Sequence, residues 1–429
     1  MTSRFRLALT WIVGPLSLAL TGCSDSFFSG PLTYVESDRL AIDLKDKPQL
    51  AEQVRQGLAD LYGPNPQHVK VPVGSGLPGG GVRLANYLDT GGGDFTQFKP
   101  IKVQNYTDGQ PVGEPVAQRG GFALYREHCL HCHGVSGAGD GPTAPFLYPR
   151  PRDYRKGLFK FTSTPTGAKP TRADLRKTIA QGLHGTSMPA FDALMSESDI
   201  EQVVDYMIFL AQRGETELSL IDEAAATGEL PADVVADVAR SVGNKWTIAE
   251  TQVMNPPIPK PPSTRDSILR GRELFLSRNT TGNKVDCTSC HGPQAIGNGP
   301  SFVNVDVFND VVFGGDPSSM DDRVAQLDPK TQELWKNSLD DWGMPLRPGN
   351  LNRGDRTVYK GGRRPIDLYW RIAKGINGAK MPAHYPTLEP ERIWDLVNFV
   401  LALPGEPELL EGATLPEAPP ATAPKIAGR

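Results

Sequence analysis

The chain contains the five-residue pattern Cys-x-x-Cys-His twice, at Cys129–His133 and at Cys287–His291. In each copy the two thiols are three positions apart, so that one helical turn places them on the same side. The residues that follow also match: Gly134, Gly139, Gly141 and Pro142 recur as Gly292, Gly297, Gly299 and Pro300. Two copies in matching surroundings indicate that one structural unit occurs twice in this chain.

The pattern Cys-x-x-Cys-His is the attachment signal for c-type heme. Two thiols at this spacing can add to the two heme vinyl groups, and the histidine then binds the iron from below. A zinc ribbon also uses two Cys-x-x-Cys pairs, but about 15–20 residues separate them, and here the separation is far longer. The sequence predicts two covalent c-type hemes, with thioethers at Cys129, Cys132, Cys287 and Cys290 and proximal iron ligands at His133 and His291.

A second repeat lies downstream of each motif, in residues 174–189 and 367–382. Each copy begins as a short amphipathic helix, passes through glycines and ends in Met-Pro, at Met188 and at Met381. A further amphipathic helix follows each methionine, and another precedes each Cys-x-x-Cys-His pattern. Apolar residues at helical spacing indicate core packing, so we expect the first and last helix of each unit to cross beside the heme.

This order of elements resembles class I cytochrome c domains, over residues 117–213 (domain 1) and 264–404 (domain 2). The resemblance implies a mainly α fold with two tandem class I cytochrome c domains. It also implies that Met188 and Met381 are the distal iron ligands. A nitrogen and a thioether together suit low-spin heme iron, and they raise its reduction potential relative to two histidines.

Met344 is an alternative to Met381, because Met344-Pro345 follows His291 at nearly the spacing that separates Met188 from His133. The repeat favours Met381. Arg150-Pro151 aligns with Arg347-Pro348, so Met344 precedes the stretch that leads to the ligand, and residues 301–343 become an insertion in domain 2.

Two further histidines, His184 and His384, lie close to the methionines. Their repeat partners are Asn377 and Phe191, so neither is shared, and we interpret both as surface or loop residues. Arginine donates two parallel hydrogen bonds to a carboxylate. Candidates to pair with heme propionates are Arg150, Arg152, Tyr154, Arg363 and Arg364.

The N-terminus has a basic start and an apolar stretch from Leu7 to Leu20 that suits the core of a signal peptide. It ends in Leu20-Thr21-Gly22-Cys23 and resembles a bacterial lipoprotein signal, which implies a signal peptide at residues 1–22 and acylation of Cys23. Four of the 5 cysteines belong to the heme motifs, so Cys23 would otherwise be an unpaired thiol in an oxidising compartment. We therefore predict export to the periplasmic side of a bacterial membrane, with a lipid anchor at Cys23.

The 39 prolines and 45 glycines favour long irregular segments outside the two domains. We expect a spacer or docking region at residues 23–116, a linker at 214–263 and a disordered tail at 405–429. Within these segments the sequence also favours helices at 50–61 and 231–242. The formal charge of −4 and the lack of a basic patch argue against nucleic acid.

The sequence thus predicts an exported, membrane-anchored diheme cytochrome c that transfers single electrons in a respiratory chain and is not an enzyme. Its partners would be a quinol-oxidising complex or dehydrogenase and a terminal oxidase or reductase. One alternative is a diheme peroxidase-like enzyme, which needs an iron with a releasable sixth ligand. Another is the cytochrome subunit of a larger periplasmic oxidoreductase complex.

Overall fold

The computed structural model describes residues 32–66, 69–77, 101–107, 110–118, 120–277, 285–316, 319–355 and 357–415. The predicted signal peptide, Cys23 and the last residues of the tail lie outside these ranges. Within them the chain is mainly helical, as the sequence predicts, and it contains a two-stranded antiparallel hairpin. No helix in these ranges is long and apolar enough to cross a membrane.

The hairpin consists of β1 (Ile101–Thr107) and β2 (Gln110–Gln118). The helices before domain 2 are α1 (Asp38–Asp43), α2 (Pro48–Tyr62), α3 (Gly121–His128), α4 (Leu130–His133), α5 (Arg172–Gln181), α6 (Glu197–Thr227) and α7 (Ala232–Ala249). Those of domain 2 are α8 (Arg265–Leu276), α9 (Cys287–His291), α10 (Val305–Phe313), α11 (Met320–Ala325), α12 (Pro329–Asn337), α13 (Pro365–Lys374) and α14 (Pro390–Ala402).

In each domain the first and last helices cross, as the repeat predicts. The contact in domain 1 joins α3 to α6, where the ring centroids of Tyr125 and Tyr206 are 5.2 Å apart. The contact in domain 2 joins α8 to α14, where those of Phe275 and Phe399 are 5.3 Å apart. All four rings are buried, so each crossing is an aromatic core beside the short helix that carries the heme motif.

Helix α6 runs straight through the expected domain boundary at residue 213 and ends only at Thr227. A capping box at Ser196 starts it, and Gly228, in the left-handed conformation, ends it. Its apolar spacing continues past the boundary, with Leu220 and Ile221 fully buried. The sequence predicts a linker here, but the continuing apolar face keeps the chain helical.

The second half of α6 packs against segments on both sides of domain 1. Helix α2 contributes Val54, Leu58 and Tyr62, and α7 contributes Val242 and Trp246, all buried in the same core. Helices occur where the sequence favours them, at 48–62 and 232–249. Parts of the predicted spacer and linker therefore form a helical unit whose core is continuous with that of domain 1.

Domain 2 differs from domain 1 at two places. The insertion at 301–343 holds α10, α11 and α12 around a small core of its own, which includes Phe308, Val311 and Trp335. The start of the predicted disordered tail is ordered, because Leu409 and Leu410 of a short 3-10 helix are buried in the domain 2 core. The chain before α8 is held against this domain by a hydrogen bond from Trp394 Nε1 to the Ile258 carbonyl, 3.2 Å.

Candidate heme site

A cavity of about 1080 Å³ lies between the two domains and reaches both Cys-x-x-Cys-His motifs. It exceeds the roughly 300–1,000 Å³ typical of a pocket for one small molecule. The eight residues predicted to hold the hemes all line it: Cys129, Cys132, His133, Met188, Cys287, Cys290, His291 and Met381. Met344 instead borders a separate cavity of about 360 Å³, together with Arg150 and Trp342.

The two heme motifs form the same local structure. Helices α4 and α9 each end at the glycine after the histidine, Gly134 with φ 75° and Gly292 with φ 74°. The next loop then folds back, and the Gly139 amide donates to the His133 carbonyl just as the Gly297 amide donates to that of His291, both at 2.9 Å. These matching bonds fix the backbone around each histidine.

The two methionine loops also match. The Leu183 amide donates to the Met188 carbonyl, and the Ile376 amide to the Met381 carbonyl, both at 3.1 Å. Each loop therefore closes on its own methionine and presents that residue to the cavity. This equivalence supports the alignment of Met188 with Met381.

The side chains of the two proximal histidines are partly buried at the cavity. Burial, aided by the charge of His131, lowers the pKa of His133 to about 4. Burial and His384 lower the pKa of His291 to about 4 as well. Nδ1 of each ring is buried without a well-formed hydrogen bond. A neutral imidazole is the form that binds metal, so these side chains fit iron ligation.

The motif cysteines are free thiols. Burial raises the pKa of Cys129 and that of Cys287 to about 12, so both are protonated and poorly nucleophilic at neutral pH. In the part of the chain that the structure describes, no three His, Cys, Asp or Glu side chains converge as a metal cluster. The free thiols, the imidazoles at the cavity and the cavity volume all fit covalently attached heme.

Charged side chains around the cavity are mostly basic. The basic ones are Arg150, Arg152, Lys160, Arg347, Arg353, Lys360, Arg371 and Lys380, against Glu127 and Asp286. An excess of positive charge around a cavity favours an anionic occupant, and heme propionates have that charge. The observed lining therefore suits heme electrostatically as well as in size.

Only some of the residues predicted to pair with heme propionates lie at the cavity. Arg150, Arg152 and Tyr154 line it. Arg363 instead donates to the Leu401 carbonyl, and Arg364 bonds Asp367 at the start of α13.

Lys360 and Arg371 also line the cavity, although no sequence motif predicts them. Burial lowers the pKa of Arg371 to about 10, and its guanidinium donates to the Gly362 carbonyl at 2.8 Å. Arg371 directly precedes Ile372 on an amphipathic helix, and this position is the one feature of the sequence that could have pointed to it.

His384 also lines the cavity, although the sequence suggests a surface or loop histidine. Its amide donates to the Ile372 carbonyl at 3.1 Å, as that of Phe191 does to the Ile179 carbonyl at 3.2 Å. His384 thus occupies the place of a buried phenylalanine in domain 1. Repeat comparison identifies the partner residue correctly, but it does not reveal that this position faces the cavity.

Ion pairs join the domains beside the cavity. Asp340 of domain 2, whose side chain is fully buried, accepts from Arg152 and Lys160 of domain 1, each at 2.8 Å. Lys177 of domain 1 donates to Asp367 of domain 2 at 2.6 Å. These contacts fix the two halves of the cavity against each other.

A search of curated proteins finds no match. A chain of the reducing HAO-like protein complex of Kuenenia stuttgartiensis is similar in structure, with a TM-score of 0.42 and 24% identity over 65% of this chain and 93% of that chain. Residues 116–207, which include Cys129–His133 and Met188, match the family model described as cytochrome c oxidase, cbb3-type, subunit III. This match covers about a fifth of the chain, and it supports a c-type cytochrome domain, the kind that binds heme and transfers electrons, at residues 116–207.

Proposed function

We propose that this protein is an exported diheme cytochrome c that carries single electrons between redox partner proteins. The observation that carries the proposal is the cavity between the domains, because both Cys-x-x-Cys-His motifs and both methionine loops line it. Domain 2 repeats the backbone hydrogen bonds of domain 1 at its own motif and methionine. That equivalence supports a second heme site in domain 2.

Each heme would be held by two cysteines, one histidine and one methionine from a single domain. The ligand pairs are His133 with Met188 and His291 with Met381. Each bound heme supplies an iron that cycles between Fe(II) and Fe(III). These residues would attach the heme and bind its iron, and the protein around them would limit the rearrangement that the change of one charge needs.

Because both sites border one cavity, we propose that electrons pass directly from one heme to the other. The ion pairs of Asp340 and Asp367 would keep the two sites at a fixed separation. Electrons would enter from a quinol-oxidising complex or periplasmic dehydrogenase and leave to a terminal oxidase or reductase. Acylation of Cys23 would hold the protein at the periplasmic side of a membrane.

Heme counting tests the two-site proposal. The purified protein should carry two covalent hemes, measured by its mass and by its pyridine hemochrome spectrum per polypeptide. The pair Cys129→Ala and Cys132→Ala should leave one heme, and so should the pair Cys287→Ala and Cys290→Ala. A single heme in the wild type, or no loss in the second pair, would contradict a heme in domain 2.

Fractionation tests the anchor. The protein should sediment with membranes, carry fatty acid at its N-terminus and become soluble when Cys23→Ser is introduced. Unchanged membrane association in that variant would refute acylation of Cys23. Heme content should remain the same in both forms, because Cys23 precedes the residues that line the cavity.

A further inference from the structure

The two proximal histidines have different neighbours. The ring of Tyr154 stacks on that of His133, with centroids 4.7 Å apart and an interplanar angle of 29°. Backbone hydrogen bonds identify the equivalent residue in domain 2: the Tyr154 amide donates to the Gly137 carbonyl at 2.7 Å, and the Leu351 amide to the Ala295 carbonyl at 2.8 Å. Leucine therefore replaces the stacked tyrosine in domain 2.

The residue that faces this position also differs between the two domains. A Cβ atom on Gly137 would lie 2.6 Å from Cδ2 of Tyr154, so only glycine leaves room for this aromatic ring. In domain 2 the same backbone position is Ala295, a non-glycine residue at φ 56°, opposite the smaller Leu351. The chain thus contains two matched pairs, Gly137 with Tyr154 and Ala295 with Leu351.

A second aromatic ring holds the tyrosine in place. Phe159 stacks on Tyr154, with centroids 5.9 Å apart and an interplanar angle of 20°. Trp246 of α7 meets Phe159 edge-on at 5.9 Å, and its Nε1 donates to Glu215 of α6 at 2.8 Å. The helical unit of α6 and α7 therefore supports the ring that contacts His133.

We propose that Tyr154 is a positioning residue that lowers the reduction potential of the heme in domain 1 through its stack with His133. This inference rests on the proposed two-heme function. A histidine bound to ferric iron is more electron-poor than one bound to ferrous iron. The electron-rich face of a tyrosine ring therefore stabilises the ferric state more, as a ring face stabilises a cation. The step tuned is the uptake of one electron by Fe(III) to give Fe(II), with no bond broken.

The test is a spectroelectrochemical titration of the full-length diheme protein and its Tyr154→Leu variant. The domain 1 transition should move to higher potential. This shift raises the equilibrium constant for electron transfer from the heme of domain 2 (heme 2) to the heme of domain 1 (heme 1) about three- to tenfold. The domain 2 transition should not move and serves as the internal control. Tyr154→Phe should keep most of the wild-type value. The variant without Cys129 and Cys132 identifies which transition belongs to domain 1.

The reverse exchange applies the same idea to domain 2. Leu351→Tyr combined with Ala295→Gly should lower the potential of heme 2 and leave heme 1 unchanged. No shift in Tyr154→Leu with both hemes bound, or an equal shift of both hemes, would overturn the proposal. If Tyr154→Leu loses the heme of domain 1, the potential of heme 2 in Leu351→Tyr with Ala295→Gly decides whether the proposal holds. Two transitions in the wild type test the two-heme function separately from these shifts.

Discussion

Gly121 on α3 packs directly against the backbone of α6. A Cβ atom at this position would lie 2.2 Å from the carbonyl oxygen of Gln202. The crossing in domain 2 is built the same way, because a Cβ atom on Gly271 would lie 2.1 Å from the carbonyl oxygen of Asp395. In both domains the first and last helices therefore touch backbone to backbone, which only glycine permits.

Alanine at either glycine should destabilise the domain that carries it and leave the stability of the other domain unchanged. Gly121→Ala forces α3 away from α6, a packing change that costs about 1–3 kcal/mol. Thermal unfolding and heme stoichiometry should show weaker retention of heme 1 and normal heme 2, and Gly271→Ala should show the reverse. Gly405→Ala is the control, since a Cβ atom there has 3.7 Å to its nearest neighbour. Equal effects on both hemes would contradict two separate crossings.

Replacement of each methionine should assign the distal ligands. Met188→Ala and Met381→Ala should each abolish one methionine-to-iron charge-transfer band and shift that heme to lower potential, because the thioether favours ferrous iron. Met344→Ala should leave both bands, since Met344 borders a different cavity. The measurement is the near-infrared and low-temperature magnetic spectrum of each variant.

If Met344→Ala removes a band and Met381→Ala does not, the distal ligand of domain 2 is Met344 and not Met381. A new low-spin spectrum in Met381→Ala would indicate a nitrogen ligand. His384 is the candidate, because it lines the same cavity. Peroxide should not be turned over by the wild type if both irons keep their methionines.

Asp340→Asn should weaken the contact between the domains. The fully buried carboxylate neutralises Arg152 and Lys160 across the boundary. Its loss leaves two poorly exposed cations without an anion, which costs about 3 kcal/mol. Thermal unfolding should show lower stability. The adjacent Asp341→Asn is a matched control because that side chain is exposed, and equal stability of the two variants would argue against this role of Asp340.

Asp367 should contribute a pH-dependent part of the stability. Burial alone would raise the pKa of its carboxyl, but hydrogen bonds from Arg364 and Lys177 outweigh burial and hold the pKa below the usual 3.8. Because the folded pKa is depressed, this stabilisation is present above pH 3.8 and is lost as the pH falls through the folded pKa.

Denaturant unfolding at a series of pH values tests this contribution. The free energy of unfolding of Asp367→Asn should be lower than that of the wild type at neutral pH, and the difference should shrink below about pH 4. A difference that stays constant down to acid pH would show that the carboxylate charge does not matter. Glu411→Gln, an exposed substitution near the C-terminus, is the control.

The repeat alone predicts the eight cysteine, histidine and methionine residues that line the cavity. Fixed spacing at Cys129–His133 and Cys287–His291 sets local backbone geometry, and local geometry is what a motif encodes. For the same reason the two Met-Pro loops align by sequence alone, without reference to their hydrogen bonds. Helices α2 and α7 were also predictable, because their apolar spacing lies within one segment.

Contacts between distant segments were decided only by the tertiary structure. The sequence places no residue of α7 near His133, yet Trp246 packs against Phe159, which stacks on the ring in contact with His133. It also does not reveal that both motifs face one cavity, or that Asp340 pairs with Arg152. Such contacts depend on how helices pack after they form. The sequence by itself predicts the two heme units and their ligands. Only the folded chain shows the shared cavity, the ion pairs between the domains and the ring that stacks on His133.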